Sequence, residues 1–394
     1  MTIKTLTHKI RIDPTCKQET YFRKACGVSR YTWNWGLAKW NERYKAGEKP
    51  NALALKKEFN SLKKTDFPWV YEVTKYASQQ PFIHLDRGFK AFFSKKAKYP
   101  KFKKKGVRDC FYIGGDQVQI IGKQVKIPNL GWVRLRECLR FEGKINGVTI
   151  SRSADYWFIS VSVETNQQPA RCENQACVGV DLGIKTLATL SDGQYFPSNN
   201  PLKKQLARLR RFQIRLSKSI KSSKNREKVK KRIAKLHYKV SCSRNDTLHK
   251  LTTKLTENYQ HIVIEDLDIS EMVKNKRLSR SILDGGWYEF RRQLSYKAEL
   301  RGNKVFIADK WYASSKRCSS CGHCKDKLSL SERIYKCTEC QLEIDRDLNA
   351  ALCLKQLIST VSSTGIDACG QEGSVIMLKT LLQPAWQKQE LSPV

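Results

Sequence analysis

The chain has 394 residues, with 74 Lys or Arg against 37 Asp or Glu, so its formal net charge is +37. Such self-repulsion predicts a polyanionic partner, and a nucleic acid with a long footprint is the expected one. We find neither a secretory signal nor an apolar run long enough to span a membrane, so we expect no membrane partner. The expected location is the cytoplasm of a bacterium or archaeon, where the protein would associate with the nucleoid when bound to DNA. Apolar residues make up 40% of the chain, which excludes a disordered basic tail.

The first half of the chain changes its hydrophobic period twice. Residues 3–12 end in an alternating pattern typical of a strand, and residues 15–93 have the spacing of helices. Residues 94–106 contain seven Lys and no acid, and residues 107–165 return to a period of two with Gly and Asn-Gly turns. This pattern predicts a small antiparallel barrel that includes the first strand and carries the helices as an insertion.

From residue 176 the pattern is that of an α/β domain. A short buried strand ends at Asp181, and a hairpin closed at Asp192-Gly193 follows it. A helix over 201–221 should bury an apolar stripe that reaches Ile220, and a second basic helix follows. The later predicted elements are a strand at 261–265, a helix near 286–300, a strand at 304–308 and a helix from about 346.

Two basic stretches are candidates for contact with a nucleic-acid backbone. The stretch at 94–106 interleaves Tyr99 and Phe102 with its lysines, which suits stacking on bases together with phosphate contact. Between 203 and 250 the basic helices keep their apolar stripe, so their charged faces should point outward. The candidate cations are Lys101, Lys103, Lys104, Lys105, Arg208, Arg211 and Arg215.

Three carboxylates lie at the predicted edges of sheet elements. Asp181 and Glu265 end buried strands, and Asp347 lies in the first turn of a predicted helix. The carboxyl ends of strands are where α/β folds place their sites, and acids that converge there predict a metal ion. Taken alone, Asp181 is equally explained as a turn-capping residue next to Gly183.

The other two acids also have alternative explanations. Glu265 fits a surface acid at the end of a strand, and Asp266 or Asp268 fits the functional role as well as it does. Asp347 is favoured at a helix start by the helix dipole, and Asp345 is the alternative N-cap. The residues alone leave these choices open.

Four cysteines have the spacing of a structural zinc site. Two Cys-x2-Cys pairs are separated by fifteen residues, as expected of a four-cysteine zinc ribbon. Four thiolates fill a tetrahedron, so we expect one structural Zn²⁺ without an open coordination position. Cys324 lies inside the loop but lacks a paired partner. The predicted ligands are Cys318, Cys321, Cys337 and Cys340.

The chain resembles the TnpB family, the transposon-encoded RNA-guided endonucleases related to type V CRISPR effectors. The resemblance covers most of the chain in the same order, and two shorter segments, YPKFKKKG at 99–106 and TGIDACG at 364–370, add to it. The main matching segments are GVDLGIKTLATLSDG from 179, IVIEDLDI from 262, WYEFRRQLSYKAELRGNKV from 287, YASSKRCSSCG from 312 and DRDLNAA from 345.

The resemblance implies an α/β plus β-barrel fold, in which a RuvC nuclease domain of RNase H-like fold is interrupted by the zinc ribbon. An N-terminal wedge barrel, similar to oligonucleotide-binding folds, carries a helical recognition lobe. The implied boundaries are 1–13 and 107–175 for the wedge, 14–106 for the lobe, 176–314 and 342–362 for the nuclease domain, 315–341 for the ribbon and 363–394 for a disordered tail.

The resemblance also implies residue roles and partners. The family's three metal-binding acids fall on Asp181, Glu265 and Asp347, and these would hold two catalytic Mg²⁺ ions. A short transposon-adjacent motif is recognised in the family by residues to which Lys75, Tyr76 and Gln79 are similar in position. The other implied partners are a guide RNA encoded beside the gene and double-stranded target DNA. One protein monomer would bind each RNA.

Three alternatives remain open at this stage. A compact type V CRISPR effector would have the same fold, and only the neighbouring DNA distinguishes it. A DNA-binding protein without cleavage is a second alternative, although all three acids are present. A transposase that joins DNA with the same acids is the third.

Overall fold

The computed structural model describes residues 4–166, 172–329, 332–363 and 379–380. The chain divides into two compact units, 1–167 and 168–394. No helix in the described part of the chain is long and apolar enough to cross a membrane.

The first unit combines three helices with two antiparallel sheets. The first helix begins at a capping box, in which Thr15 and Gln18 each satisfy the other's backbone N–H. Two short 3-10 helices, Pro68–Glu72 and Gly115–Gln117, interrupt the connections. The elements are β1 (Lys4–Ile12), α1 (Cys16–Lys45), α2 (Ala52–Leu62), α3 (Lys75–Phe93), β2 (Cys110–Gly114), β3 (Gln119–Ile121), β4 (Gln124–Ile127), β5 (Gly131–Arg134), β6 (Lys144–Ser153) and β7 (Tyr156–Thr165).

The two sheets of the first unit share one hydrophobic core. One sheet has the order β1-β7-β6-β2, and the other has the order β3-β4-β5. An isolated bridge between Ile12 and Leu135 joins β1 to the chain just after β5. The prediction that the first strand pairs with the later strands is confirmed, since Ile10 lies opposite Ile159 in β7. Both sheets and the three helices bury their apolar side chains in a single cluster.

The second unit is built around a mixed six-stranded sheet. Its order is β10-β9-β8-β11-β12-β15, with β8, β11 and β12 parallel to one another. The elements are β8 (Cys177–Asp181), β9 (Thr186–Leu190), β10 (Tyr195–Pro197), α4 (Pro201–Ser217), α5 (Lys224–Asn258), β11 (His261–Glu265), α6 (Ile269–Met272), α7 (Ser279–Gly285), α8 (Trp287–Arg301), β12 (Lys304–Ala308), β13 (Ile334–Lys336), β14 (Glu343–Asp345), α9 (Arg346–Ser363) and β15 (Lys379–Thr380).

Both faces of this sheet are covered by helices. Ile262 and Ile264 of β11 join a cluster with side chains of α5 and α8. Val263 points to the opposite face and packs with Leu354 and Leu357 of α9. Burial on both faces explains why β11 is a continuous apolar run rather than an alternating one.

Most predicted boundaries in the second unit are confirmed, and two need correction. The strands at 261–265 and 304–308 have the predicted bounds, and the last helix begins at Arg346. The predicted helix at 201–221 ends at Ser217, so Ile220 lies beyond it and its side chain is 79% exposed rather than buried. The ribbon hairpin extends past residue 341, because β13 pairs with β14 as far as Asp345.

The C-terminal prediction lies mostly outside the described residues. Of the segment 363–394, the structure describes the end of α9 and the two residues of β15, which pair antiparallel with β12. The segment at 364–370 that contributed to the family resemblance is likewise outside the described residues.

Candidate active site and metal-binding cluster

Asp181 and Glu265 lie side by side at one edge of the sheet. β8 and β11 are parallel and pair Val180 with Ile264, so Asp181 and Glu265, the next and last residues of the two strands, lie at the same level. Neighbouring strands lie about 4.8 Å apart. The sheet therefore places the two carboxylates on adjacent strand ends, as the sequence predicted.

Helix α9 brings Asp347 to the same edge. The helix packs on β8 at Gly179, where an added Cβ would lie only 2.0 Å from the carbonyl oxygen of Ala351. Glycine is therefore needed at this position for the helix backbone to approach the strand. Since Asp347 is in the first turn of α9, this close contact fixes where its carboxylate lies relative to Asp181.

The electrostatics of the site show that the three acids influence one another. Burial raises the pKa of Asp181 well above its usual range, the Glu265 and Asp347 carboxylates raise it further, and Arg346 opposes them. Burial also raises the pKa of Glu265, although a hydrogen bond from Ser314 Oγ acts in the opposite direction. Negative charges held together at such a site favour a bound cation.

The rival acids have other partners in the structure. Asp345 caps α9, since its Oδ1 accepts hydrogen bonds from the backbone N–H groups of Asp347 and Leu348, both at 3.0 Å. Asp266 pairs with Arg291 at 2.9 Å. These contacts assign both acids a structural role.

Asp268 is held in the same way. Its side chain accepts the backbone N–H of Glu271 at 3.1 Å, which caps α6, and it pairs with Lys310 at 3.2 Å. Hydrogen bonds from Ser270 and Glu271 lower the pKa of Asp268 to about 2. Glu265 is the acid of this segment that shares an environment with Asp181 and Asp347.

The four predicted cysteines form a compact cluster. Their sulfur atoms all lie within 4.8 Å of one another, and in the described part of the chain no other set of three or more His, Cys, Asp or Glu side chains does so. The distances Cys318 Sγ–Cys340 Sγ and Cys321 Sγ–Cys337 Sγ are both 3.5 Å. A tetrahedral zinc site with Zn–S bonds of about 2.3 Å places its sulfurs about 3.8 Å apart, so this cluster fits a metal such as zinc.

The same distance criterion does not group the three carboxylates. A site for two ions spreads its ligands over metals roughly 3.5–4 Å apart, so its acids do not need to meet at one point. Three observations show that the acids lie near one another: the register of β8 and β11, the packing of α9 on Gly179, and the effect of Glu265 and Asp347 on the pKa of Asp181.

The cysteine cluster is tied directly to the helix that carries Asp347. Asn349 is fully buried; its side-chain N–H donates to the Arg317 carbonyl at 2.6 Å, and its Oδ1 accepts the Ser319 N–H at 3.0 Å. Two turns later, Gln356 donates to the Ser319 carbonyl at 2.6 Å. The backbone on either side of Cys318 is thus hydrogen-bonded to side chains of α9.

The basic residues of the second unit point outward as predicted. Arg208, Arg211 and Arg215 on α4 are exposed, while Leu209 of the same helix is buried. The start of α4 is held by Asp284, which accepts the backbone N–H groups of residues 202 and 203 and pairs with Arg244 at 3.0 Å. The exposed cations therefore belong to an anchored helix.

The four candidate lysines in the basic stretch of the first unit differ in their surroundings. Lys101, Lys104 and Lys105 are exposed, whereas Lys103 is half-buried with its ammonium 4.2 Å from the centre of the Trp33 ring. Burial lowers the pKa of Lys103. This cation–π contact gives Lys103 a partner within the protein, and its contact with a phosphate stays a prediction.

The three predicted motif-recognition residues lie at the start of α3. Lys75 and Tyr76 both contact the Asp116 carboxylate, at 3.3 and 2.6 Å. Lys75 and Gln79 line a surface cavity of about 400 Å³. The sequence alone does not indicate Asp116, because it lies 40 positions after Tyr76 and only the folded chain brings the two side chains together.

Sequence reasoning missed three residues beside the acids. Ser314 holds Glu265, Arg346 lies 3.4 Å from Asp347, and the phenol of Tyr195 has a pKa raised by burial and by Asp345 and Asp347. Arg346 was detectable, since it lies between the two aspartates of the DRD segment. Ser314 lies on the loop after β12 and Tyr195 at the start of β10, and their positions in the sequence give no such signal.

Comparison with known proteins gives consistent matches. Family models described as a probable transposase, a Cas12f1-like TNB domain and a helix-turn-helix domain match residues 159–276, 287–354 and 1–49. The chain is 36% identical over 361 residues to "Putative RNA-guided DNA endonuclease InsQ" of Escherichia coli strain K12, covering 87% of this chain and 90% of that protein. It is 33% identical over 358 residues to a "Putative RNA-guided DNA endonuclease" of Streptomyces pristinaespiralis, covering 87% of each.

One solved structure shares the fold. The Cas12f1 chain in a cryo-EM complex with single guide RNA and target DNA matches with a TM-score of 0.54 and 15% identity. The match covers 90% of this chain and 99% of that one. This likeness shows a common fold.

Proposed function

The chain belongs to the TnpB family of RNA-guided DNA endonucleases, and on that premise we propose that it cuts target DNA at Asp181, Glu265 and Asp347. The observation that carries this proposal is the placement of Asp181 and Glu265 in matching register on adjacent parallel strands, with Asp347 at the start of the helix packed against them. A RuvC nuclease domain of RNase H-like fold accounts for this arrangement.

The donor set fits two Mg²⁺ ions. Magnesium prefers oxygen ligands, and one or two carboxylates with substrate phosphate are its usual partners in enzymes of this kind. When bound, such ions supply an activated water and stabilise the leaving oxygen of the phosphodiester. The raised pKa values of Asp181 and Glu265 fit the same reading, because a cation would relieve their mutual repulsion.

The protein's own residues orient these ligands. Ser314 Oγ donates to Glu265 and leaves the second carboxylate oxygen of Glu265 available. Arg346, with a side chain only 15% exposed, contacts Asp347 Oδ1 and offsets part of the local negative charge. Asp345 holds the helix start rather than a metal.

A structural Zn²⁺ in the four-cysteine cluster completes the site. The ribbon holds α9 through Asn349 and Gln356, so we infer that its metal organises Asp347 without taking part in cleavage. Backbone N–H groups of Cys340 and Glu339 lower the pKa of Cys337 to about 6, which favours the thiolate that a zinc ligand requires.

The guide RNA and the target heteroduplex would use the basic surfaces. In guided recognition, base pairing supplies the sequence information, and the protein binds helical shape and a short motif. We assign the antiparallel sheets of the first unit to a wedge domain, its helices to a recognition lobe, and Lys75, Tyr76 and Gln79 to motif recognition. One monomer on one RNA, encoded beside the gene, is the proposed assembly.

The proposal is tested by expressing the gene with its downstream flanking DNA and sequencing the RNA that co-purifies. The purified complex is then given Mg²⁺ and a plasmid library in which the matching target adjoins randomised bases. One discrete RNA and cleavage beside one short motif are expected. A discrete RNA with tight target binding and no cleavage would replace the nuclease with a guided DNA-binding protein, and heterogeneous RNA without a target effect would refute guidance.

A further inference from the structure

A short ordered loop connects the sheet to Glu265. It leaves β12 at Ala308, which pairs with Glu265 in the sheet, and it reaches Ser314, which donates a hydrogen bond to the Glu265 carboxylate. Between these ends, Asp309 Oδ1 accepts the Trp311 N–H at 2.8 Å and the Asp309 carbonyl accepts the Tyr312 N–H at 3.0 Å. Both ends of the loop are therefore fixed next to the same acid.

The loop turns its two aromatic side chains in opposite directions. Tyr312 points inward, donates its hydroxyl to the Cys353 carbonyl at 3.2 Å and packs against the α9 cluster. Trp311 is 85% exposed, the largest exposed fraction among large apolar side chains in the described residues. Three residues span at most about 11 Å, so the Trp311 backbone lies within that distance of both Ala308 and Ser314.

The surroundings of Trp311 favour a nucleic-acid partner. Lys316 and Arg317 follow closely in the chain, and their side chains donate to the carbonyl oxygens of Asp326 at 2.8 Å and Gly322 at 3.3 Å rather than to carboxylates. Their positive charge is therefore not neutralised by these contacts. The cation near the indole itself is Lys310, whose ammonium lies 6.0 Å from the centre of the Trp311 ring and also pairs with Asp268 at 3.2 Å. An exposed aromatic ring with a cation nearby is the combination that binds single-stranded nucleic acid.

We propose that Trp311 stacks on an unpaired nucleobase next to the phosphodiester at the acid site and so positions the strand for cleavage. This inference rests on the proposed function. Stacking needs a free base face, which paired bases within a duplex do not offer, so the proposed occupant is a single-stranded segment. Trp311 acts on the strand and not on the bond that breaks, which makes it a positioning residue.

The first experiment measures single-turnover cleavage by the RNA-loaded protein. The protein is in excess over the target DNA but below the concentration that saturates target binding. Trp311→Ala should slow cleavage by roughly 5- to 150-fold, the range expected for the loss of one base–aromatic stack. Trp311→Phe keeps an aromatic face and should stay within about threefold of the wild type. Tyr288→Ala, an aromatic residue on α8 of the second unit and 50% exposed, is the matched control and should have no effect.

The second experiment measures binding without cleavage. In an Asp181→Ala background, a labelled oligothymidine is compared with a series of oligomers that each carry one abasic position. One abasic position should weaken binding, and Trp311→Ala should weaken binding of the intact oligomer while abolishing that difference. This binding difference can be measured even if the wild type cuts no target. A failure of the proposed function can therefore be distinguished from a failure of this inference.

Three results would overturn the inference. The first is equal cleavage and equal binding by the wild type and Trp311→Ala. The second is an unchanged abasic profile in Trp311→Ala. The third is a lower unfolding temperature in both Trp311→Ala and Trp311→Phe with unchanged affinity, which would assign the indole to packing against another part of the protein.

Discussion

Replacing Gly179 with Ala should separate the proposed catalytic acids by displacing α9. The added Cβ would lie 2.0 Å from the Ala351 carbonyl oxygen and 2.6 Å from the Lys355 nitrogen, whereas ordinary contact begins near 3.4 Å. The helix must therefore move by about 1.4 Å (3.4 − 2.0). Both contacts are with backbone atoms, so a change of side-chain rotamer does not relieve them.

Two effects of this substitution are measurable. Overpacking of this kind typically lowers the free energy of unfolding by about 1–3 kcal/mol. Asp347 lies one turn before Ala351 on the same helix, and a misplacement of about 1 Å can cost roughly 100-fold in rate. The assays are chemical denaturation and single-turnover cleavage by the RNA-loaded protein.

Gly27→Ala is the matched control. A Cβ at Gly27 meets only the Arg30 guanidinium at 4.0 Å, and Ala in a helix interior is favoured over Gly by about 1 kcal/mol. This variant should be as stable as the wild type or more so, and equally active. A Gly179→Ala protein that unfolds at the wild-type denaturant concentration and cuts at the wild-type rate would refute the argument that α9 positions Asp347.

Four further predictions concern the site, the ribbon, one buried lysine and the charge. Asp347→Ala should lower cleavage at least 1,000-fold, whereas Asp266→Asn, which alters an ion pair with Arg291, should keep cleavage within about tenfold; equal losses would contradict the assignment. Cys337→Ser should release zinc and lower the unfolding temperature, while Cys324→Ser should retain the metal, as checked by metal analysis. Burial lowers the pKa of Lys297 to about 8, so the folded protein loses this proton at a lower pH than the unfolded chain does. The free energy of unfolding should therefore rise between about pH 8 and 10.5, and it should rise more in the wild type than in Lys297→Met. Binding of nucleic acid should weaken steeply as salt rises, and a flat profile would contradict the charge argument.

Much of the second unit could be predicted because its signals are local. The three central residues of HIVIE are apolar and β-branched, and the run forms β11 with the expected bounds. The acid that ends it lies at the sheet edge because parallel strands in register bring their carboxyl ends together. The cysteine spacing is similarly local, and the four sulfurs cluster as predicted.

The remaining features depend on contacts between distant segments. Asp284 holds the start of α4 from more than 80 residues away, and Ser314 reaches Glu265 across 49 residues. The helical spacing of Ile220 predicts that it joins a buried stripe, but α4 ends three residues before it. Gly179 gives no sign in the sequence that a helix backbone must approach it. Such contacts follow from chain topology, which hydrophobic periodicity does not specify.

The central claim is that the three acids cut the target that the rest of the protein binds. The most direct test compares cleavage and target binding by the RNA-loaded wild type and Asp181→Ala, side by side in Mg²⁺. We expect Asp181→Ala to bind the target within about twofold of the wild type and to cut it at least 1,000-fold more slowly. Undiminished cleavage by Asp181→Ala, or loss of binding together with cleavage, would contradict the claim.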